Sequence, residues 1–158
     1  MLVARNDLPV KNLDELVAYL KANPKSSYGS AGTASAGHVN SAQLSLAKGL
    51  RTEHVPYKGA GPLLTDMLGG HIDYAFAGLS VMLPQIKAGK VRALAVSSPG
   101  RSAMLPDVPA MNELIPGFEY PTWIGIVAPP GMPPEVRQKI LKACLLYTSD
   151  AADDTPCV

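Results

Sequence analysis

The sequence predicts an α/β domain built around a mostly parallel β-sheet. Short apolar runs with strand character alternate along the chain with amphipathic helical periods, and turn residues separate many of these segments. The loop formed by residues 28–38 is rich in glycine, alanine and hydroxyl side chains and lies between a predicted strand and a predicted helix. Because ligands of open α/β sheets bind at the carboxyl ends of the strands, this loop is the first candidate for a binding site.

The first elements have clear start and stop signals. Asn12 is a predicted N-cap with Glu15 three residues later, and the helix that it starts ends at Asn23 before Pro24. Residues 27–30 predict a strand. A second helix follows the loop, and its predicted inner face consists of Val39, Ala42, Leu46, Ala47 and Leu50.

The same alternation continues through the middle of the chain. Pro62 fits the first turn of a helix, which Gly69 and Gly70 end. The other predicted elements are strands at 54–57, 72–77, 91–96 and 118–128, a helix through 81–88, a short helix at 110–114 and a last helix from Val136 onward.

Length and composition limit the classes of function. The 158 residues suffice for one modest domain with a core. A net charge of +1, with 17% charged residues and no basic run, gives no support for nucleic-acid binding or a membrane-surface role, so a small ligand is expected. No apolar stretch approaches the roughly 20 residues of a membrane span. The first residues lack the apolar run of a signal peptide, so the protein is cytoplasmic or its front is missing.

The loop at 28–38 is predicted to be an anion cradle. Small residues let a ligand approach the backbone closely, and a helix that begins near Ser35 directs unpaired N–H groups at that ligand. A carboxylate or a phosphate is the expected ligand. The alternative is an ordinary strand-to-helix turn with Ser35 as its N-cap.

The residues of this loop disfavour a nucleotide-hydrolysing P-loop. Gly32 and Gly37 have the spacing of that motif. However, His38 and Val39 replace the Lys-Ser/Thr pair that contacts the β- and γ-phosphates and magnesium. We therefore expect no nucleotide hydrolysis.

A hydrolase is weakly indicated by the same loop. Residues 33–37 resemble a nucleophile elbow, but Thr33 stands where the first glycine of that motif belongs. The enzyme hypothesis would use Ser35 as nucleophile on a small carboxylated substrate, with His38 or His54 as base. The sequence contains no recognisable triad, so no catalytic residue is assigned.

Neither a metal site nor a cofactor is predicted. His38, His54 and His71 are widely spaced, with no cysteine or carboxylate pattern around them. Asp66 and Asp73 have no second carboxylate at a short fixed spacing, so we expect structural roles for both.

The C-terminal segment differs from the rest of the chain. Cys144 and Cys157 are the only cysteines, and residues 144–154 break the preceding helical pattern and become acidic. The segment resembles a translated transposon-end adapter from library preparation, so we predict that residues 144–158 are a non-native tail. The alternative is a short tail closed by a disulfide.

Several motifs occur together and in order. They are Ser-Ala-Gly at 30–32, His38, Val-Pro-Tyr-Lys-Gly at 55–59, Asp-Met-Leu-Gly-Gly at 66–70, Ala-Gly-Lys-Val-Arg-Ala-Leu-Ala-Val at 88–96 and Leu-Pro-Asp-Val-Pro at 105–109. Over residues 2–143 the chain resembles the Bug/TctC family, the extracytoplasmic solute receptors of tripartite tricarboxylate transporters. The combination is far more specific than any single motif.

The resemblance implies a lobe of the periplasmic-binding-protein type II kind, with crossover strands. The implied domains are 1–6, part of a crossover from a missing first lobe; 7–122, the second ligand-binding lobe; 123–143, a crossover strand and the start of a first-lobe helix; and 144–158, the tail. The signal peptide and the C-terminal helices are expected to be missing as well.

The resemblance also implies a function. Family members are periplasmic, are not enzymes, and close two lobes on a small organic carboxylate for delivery to membrane permease subunits. No cofactor, nucleic acid or direct membrane insertion is implied. A single lobe would supply only half of such a clamshell.

The cradle is the strongest match to the ligand-binding positions of the family. There a ligand carboxylate binds to backbone N–H groups and hydroxyls, and the corresponding residues here are Ser30, Gly32, Thr33, Ala34 and Ser35. His38 matches the family histidine, with two roles open: donating to the ligand or fastening the loop. We favour fastening, because a position near a helix N-terminus disfavours a cationic histidine.

A second cleft loop is implied at Tyr57, Lys58 and Gly59. Lys58 either adds a positive field for the anion or is simply solvated, and Tyr57 either lines the cleft or packs. Trp123 either flanks the cleft or packs near the hinge.

A third cleft loop is implied at Ala77 and Gly78, followed by Leu79. Many relatives carry an acidic or amide residue near this point. Its absence here favours a simple carboxylate ligand over one with an amino group.

Overall fold

The computed structural model describes residues 1–118 and 128–148 and divides the chain into two compact units, Met1–Thr122 and Trp123–Val158. The first unit contains five strands and five helices among its described residues. In chain order they are β1 (Leu2–Arg5), α1 (Leu13–Ala22), β2 (Ser27–Ser30), α2 (Ala36–Lys48), β3 (Glu53–Pro56), α3 (Ala60–Leu68), β4 (Tyr74–Phe76), α4 (Leu79–Lys87), β5 (Val91–Ala95) and α5 (Met111–Leu114).

The five strands form one sheet in the order β3-β2-β4-β1-β5. β2 pairs in parallel with both β3 and β4, whereas β1 pairs antiparallel with β4 and with β5. Four strands therefore run in one direction and β1 runs against them. The predicted α/β class with a mostly parallel sheet is confirmed, with one reversed strand inside the sheet.

Local capping chemistry fixes the first helix where the sequence predicts it. The Asn12 side-chain oxygen accepts a hydrogen bond from the Glu15 N–H at 2.9 Å. At the other end, the Asn23 N–H donates to the Tyr19 carbonyl at 3.0 Å. Both interactions satisfy backbone or cap groups that the ends of a helix leave open.

The core lies on both faces of the sheet. Alternation along the strands sends Leu2 and Ala4 of β1 to one face and Val3 to the other, and all three are fully buried. Helices α1 and α2 cover the first face, and α3 and α4 cover the second. Because β2, β3 and β4 run in the same direction, the helices that follow them all begin at the carboxyl edge of the sheet.

The predicted inner face of α2 is wrong. Leu46 is 85% exposed, whereas the buried residues of this helix are Asn40, Ser41 and Leu44. The Ser41 hydroxyl donates to the Gly37 carbonyl at 2.8 Å, which lets a polar side chain pack against the sheet. Leu44 and two polar residues that bond within the helix, Asn40 and Ser41, therefore form the buried face of α2 in place of the predicted apolar residues.

In the second unit the described residues include helix α6 (Pro134–Thr148). It continues past Cys144, so the break predicted there is absent. The predicted strand at 118–128 falls mainly on residues outside the described ranges, as does Trp123, and the origin of the tail stays a prediction. Within the described parts of the chain, no helix has the length and apolar character needed to span a membrane.

Candidate functional site

An open cleft of about 690 Å³ lies at the carboxyl edge of the sheet. The starts of three helices contribute to it: Ser35 to Gly37 of α2, Ala60 of α3, and Gly78 and Leu79 of α4. The segment after β5 supplies a further wall. The carboxyl-edge location is the one that the parallel topology predicts.

The α2 N-terminus supplies free hydrogen-bond donors to this cleft. Ser35 is the N-cap, and its hydroxyl oxygen accepts from the His38 N–H at 3.4 Å. Among the hydrogen bonds of the described residues, none uses the N–H of Ala36 or of Gly37 as donor. Two backbone donors and the Ser35 hydroxyl proton are therefore available where the helix dipole favours an anion.

The other cradle residues support this terminus rather than line the cleft. Ser30 is fully buried, and its hydroxyl donates to the Gly32 carbonyl at 2.9 Å. Thr33 and Ala34 are exposed, and neither they nor Ser30 and Gly32 line the cleft. Direct contact of these four residues with a solute stays a prediction.

His38 fastens the loop, the role favoured from the sequence. Its Nδ1 accepts a hydrogen bond from the Ala34 N–H at 3.0 Å, so Nδ1 carries no proton. Ala34 has a φ of 62°, the left-handed region that a residue with a Cβ rarely adopts. The bond to His38 therefore helps to hold a strained turn directly before the helix.

A second histidine supports the loop from beneath. His54 Nε2 lies 2.7 Å from the Ser30 hydroxyl oxygen. With the hydroxyl proton assigned to the Gly32 carbonyl, the matching assignment for this contact places a proton on His54 Nε2, which then donates to Ser30. The rings of His38 and His54 stack at 4.0 Å, and Tyr28 stacks on His54 at 4.9 Å.

Acidification should weaken this support. Burial, followed by the charge of His38, lowers the pKa of His54. The unfolded chain, in which histidine has its ordinary pKa of about 6.5, binds a proton at His54 at a higher pH than the folded chain does. The free energy of unfolding therefore falls as the pH falls below about 6.5. We expect His54→Gln, which retains an N–H donor without titrating, to lose less stability between about pH 7.5 and about pH 5.5. Urea unfolding of both proteins measures this, and equal losses would contradict the assignment.

The second predicted cleft loop braces the cradle. The Tyr57 hydroxyl donates to Asp66 at 2.8 Å, and burial together with this bond raises the pKa of Tyr57 to about 12. The Gly59 N–H donates to the Ala31 carbonyl at 3.1 Å. Tyr57, exposed Lys58 and Gly59 lie outside the cleft lining, so solute contacts for them stay predictions.

The third predicted loop does line the cleft. Ala77 and Gly78 follow β4, and Gly78 is the N-cap of α4. The α2 N-terminus packs tightly beside them, because a Cβ on Gly37 would collide with the Phe76 carbonyl oxygen. Ser35, Ala77 and Gly78 are thus the sequence-predicted site residues that the fold brings to one cleft.

One further wall of the cleft was not predicted from the sequence. Ser97, Ser98, Arg101 and Ser102, in the segment after β5, all line it. Arg101 is held there by Glu113, with 2.7 Å between Nη2 and Oε2. Hydrogen bonds from Arg101 and from the Ala110 N–H lower the pKa of Glu113 to about 2, so this carboxylate stays ionised.

Asn40 was also missed. It is 2% exposed on α2 and lines the same cleft. The one feature of the sequence that could have indicated Asn40 is its polar side chain one helical turn after the cradle. The predicted inner face of α2 did not include Asn40, so the residue was not assigned to the site.

The described residues do not form the nucleophile and base of a hydrolase. The Ser35 hydroxyl contacts the backbone N–H of His38, while the His38 and His54 rings bond to Ala34 and Ser30. Across residues 1–118 and 128–148 there is also no group of three histidine, cysteine or acidic side chains placed to hold a metal.

The family model described as tripartite tricarboxylate transporter family receptor (TctC) matches residues 1–153. The chain belongs to this family. The match identifies a family of receptors rather than enzymes, and it extends into the segment predicted to be a tail.

TctC relatives agree with this assignment. The UPF0065 protein of the gbd 5' region of Cupriavidus necator is 37% identical over 140 residues, 88% of this chain and 42% of that protein. The periplasmic binding protein BugD is 38% identical with a TM-score of 0.85, over 90% of this chain and 48% of BugD.

A TctC-like neighbour has been solved with an acid in place. MatC of Rhodopseudomonas palustris with bound malate is 29% identical with a TM-score of 0.86, over 92% of this chain and 50% of that chain. In each comparison this chain therefore spans about half of the matched protein or less.

Proposed function

We propose that this chain is the ligand-binding lobe of a TctC receptor that captures a small carboxylated solute in its cleft. The N–H groups of Ala36 and Gly37 carry this proposal: they have no partner within residues 1–118 and 128–148, and they lie at the start of a 13-residue helix, where an anion is favoured. Ser35 adds a hydroxyl donor. Malate in the related MatC supports a carboxylate as the anion.

The charge of the cleft also suits an anion. Its described lining contains no acidic side chain, and Arg101 is the one ionised side chain in it. Since Glu113 compensates the charge of Arg101, the backbone donors and serine hydroxyls provide the main attraction. Such neutral donors hold an anion firmly when water is excluded around them.

The complete receptor would exclude that water by closing a second lobe over the cleft. Closure would be a hinge motion about crossover strands, and β1 is the described strand expected to take part. The proposed receptor works in the periplasm and delivers its solute to permease subunits of the transporter.

Calorimetric titration of the chain with mono-, di- and tricarboxylates tests the proposal. We expect saturable binding of an intact acid and roughly tenfold or greater weakening by Ser35→Ala, because a hydrogen bond to a charged group is worth about 1.5–3 kcal/mol.

Ser27→Ala is the matched control, because Ser27 lies on β2 at the end away from the cleft. It should leave affinity unchanged. Failure of every acid to bind, or conversion of one into a product, would overturn the receptor proposal.

A further inference from the structure

A strained β-turn leads from the cradle loop into α2. The turn spans residues 32–35 and is closed by a hydrogen bond from the Ser35 N–H to the Gly32 carbonyl at 3.2 Å. Ala34 is its third residue, and among the described residues it is the only one other than glycine with a positive φ. Turns with a positive φ at this position normally have glycine or asparagine there, because a Cβ raises the free energy of that conformation. The turn therefore needs a contact from outside itself to hold it.

The His38 ring supplies that contact. Its Nδ1 accepts a hydrogen bond from the Ala34 N–H at 3.0 Å, and the His38 N–H donates to the Ser35 hydroxyl oxygen at 3.4 Å. These two bonds tie the turn to the start of α2, where the proposed donors of Ala36 and Gly37 lie. Nδ1 can accept a bond only while it carries no proton. The shape of the cradle thus depends on the protonation state of one side chain.

Within the described ranges, the groups around His38 offer no counter-charge to a protonated ring. From β3 the His54 ring stacks on it at 4.0 Å, and from β2 the Tyr28 ring lies 6.4 Å away. Tyr74 of β4, the other strand against α2, contacts Tyr28. Burial raises the pKa of both tyrosines, so their phenols stay neutral. Lys48, at the far end, is the one charged side chain of α2, and no ion pair of the described residues includes His38.

Protonation of His38 should open the turn. The added proton would lie on Nδ1 and face the Ala34 N–H, so two donors would meet where one hydrogen bond now holds the turn. The positive charge would also lie in the first turn of α2, where the helix dipole disfavours a cation, and against the His54 ring. Because His38 lies outside the cleft lining, its charge does not replace the displaced backbone donors. Acid should therefore weaken the cradle.

We propose that His38 is a positioning residue that makes solute capture depend on pH. Its neutral ring holds the cradle in the binding shape, and its protonation releases the Ala34 turn and with it the carboxylate. The inference rests on the proposed function, because it requires a carboxylate at the α2 N-terminus. It adds a means of release, since histidine exchanges its proton between about pH 5 and about pH 8.

Calorimetry at several pH values between about 7.5 and about 5.5 tests the coupling, with succinate or the tightest-binding acid of the panel above. His38→Asn is the matched reference, because asparagine Oδ1 takes the place of Nδ1 and accepts a hydrogen bond without titrating. The ratio of the two affinities at each pH cancels the ionisation of the acid itself. Relative to His38→Asn, the unmodified chain should lose about fivefold in affinity over this range, the equivalent of one lost hydrogen bond.

Further variants separate the pH response from a purely structural role of the ring. His38→Ala lacks the acceptor at every pH, so it should bind the acid weakly and show no such loss. Ala34→Gly relieves the strain of the turn, so its affinity should fall less in acid than that of the unmodified chain. His71→Asn is the control and should keep the full response, because His71 is exposed and precedes β4 at the opposite edge of the sheet.

The Ala34 backbone amide reports the same event without a solute. In NMR spectra its signal should move together with the His38 ring signals as the pH falls. The Ala36 and Gly37 amides should follow in the unmodified chain but not in His38→Asn. Circular dichroism checks that each variant is folded. Should a variant unfold, the unmodified chain decides, and an Ala34 amide that stays fixed while His38 titrates would overturn the proposal.

The two proposals fail in distinguishable ways. If an acid binds but its affinity ratio to His38→Asn stays constant, or rises in acid, His38 has no such role and the proposed function stands. If no acid of the panel binds even at neutral pH, the proposed function fails and the inference falls with it.

Discussion

Gly37→Ala should destabilise the protein and abolish carboxylate binding. A Cβ at this position would collide with the Phe76 carbonyl oxygen, a backbone atom that cannot turn aside as a side chain does. Either α2 or the end of β4 must move, which costs about 1–3 kcal/mol for an overpacked site. The shift would displace the Ala36 and Gly37 donors from the cleft. Urea unfolding and calorimetry with a dicarboxylate measure the two effects.

Gly61→Ala is the matched control for this substitution. Gly61 also lies in the first turn of a helix, α3, and a Cβ there would meet no atom within 4 Å. Alanine should stabilise it slightly, by about 0.5–1 kcal/mol, through higher helix propensity. A Gly37→Ala protein as stable as Gly61→Ala, with unchanged affinity, would show that the close approach is unimportant.

Leu44→Ala should give the largest loss of stability. Leu44 is fully buried where α2 packs on the sheet, and truncation of such a side chain costs about 2–5 kcal/mol. The loss combines the missing transfer free energy with the cavity that remains. Chemical denaturation monitored by circular dichroism measures it.

Leu46→Ala is the same substitution two positions later on the same helix, where the side chain is 85% exposed. It should change the free energy of unfolding by less than about 0.5 kcal/mol. Equal effects at the two positions would mean that α2 packs through a different face.

Features with local causes were predictable from the sequence. The Asn12 cap, the strand at 27–30 and the start of α2 after Ser35 all occur where capping and turn chemistry place them. Such signals act within a few residues of the chain, so they survive without knowledge of the rest of the fold.

The inner face of α2 was not predictable by the same means. Apolar periodicity favoured Leu46, yet Asn40 and Ser41 are buried and bond within the helix, and Gly37 lies close to the Phe76 carbonyl oxygen. A hydrophobic pattern contains no information about polar residues that are buried in this way. The same error hid Asn40 from the predicted site.

The Arg101 wall was missed for a different reason. Its position depends on an ion pair with Glu113, twelve residues away, and on the backbone pairing of Val96 with Pro109 and Met111. The bonds of two predicted site residues, from Ser30 to Gly32 and from Tyr57 to Asp66, were likewise not predicted from the sequence. Which side of a loop faces a cleft is set by tertiary contacts, not by spacing in the sequence.

The most direct test of the carboxylate cradle is the response of the Ala36 and Gly37 amide resonances to succinate, compared with its uncharged diamide. Both backbone N–H groups lie at the helix terminus with no partner among the described residues. The cradle predicts that succinate shifts both signals along one saturable curve and that the diamide leaves them nearly unmoved. Unchanged amides at saturating succinate, or equal responses to the two compounds, would contradict it.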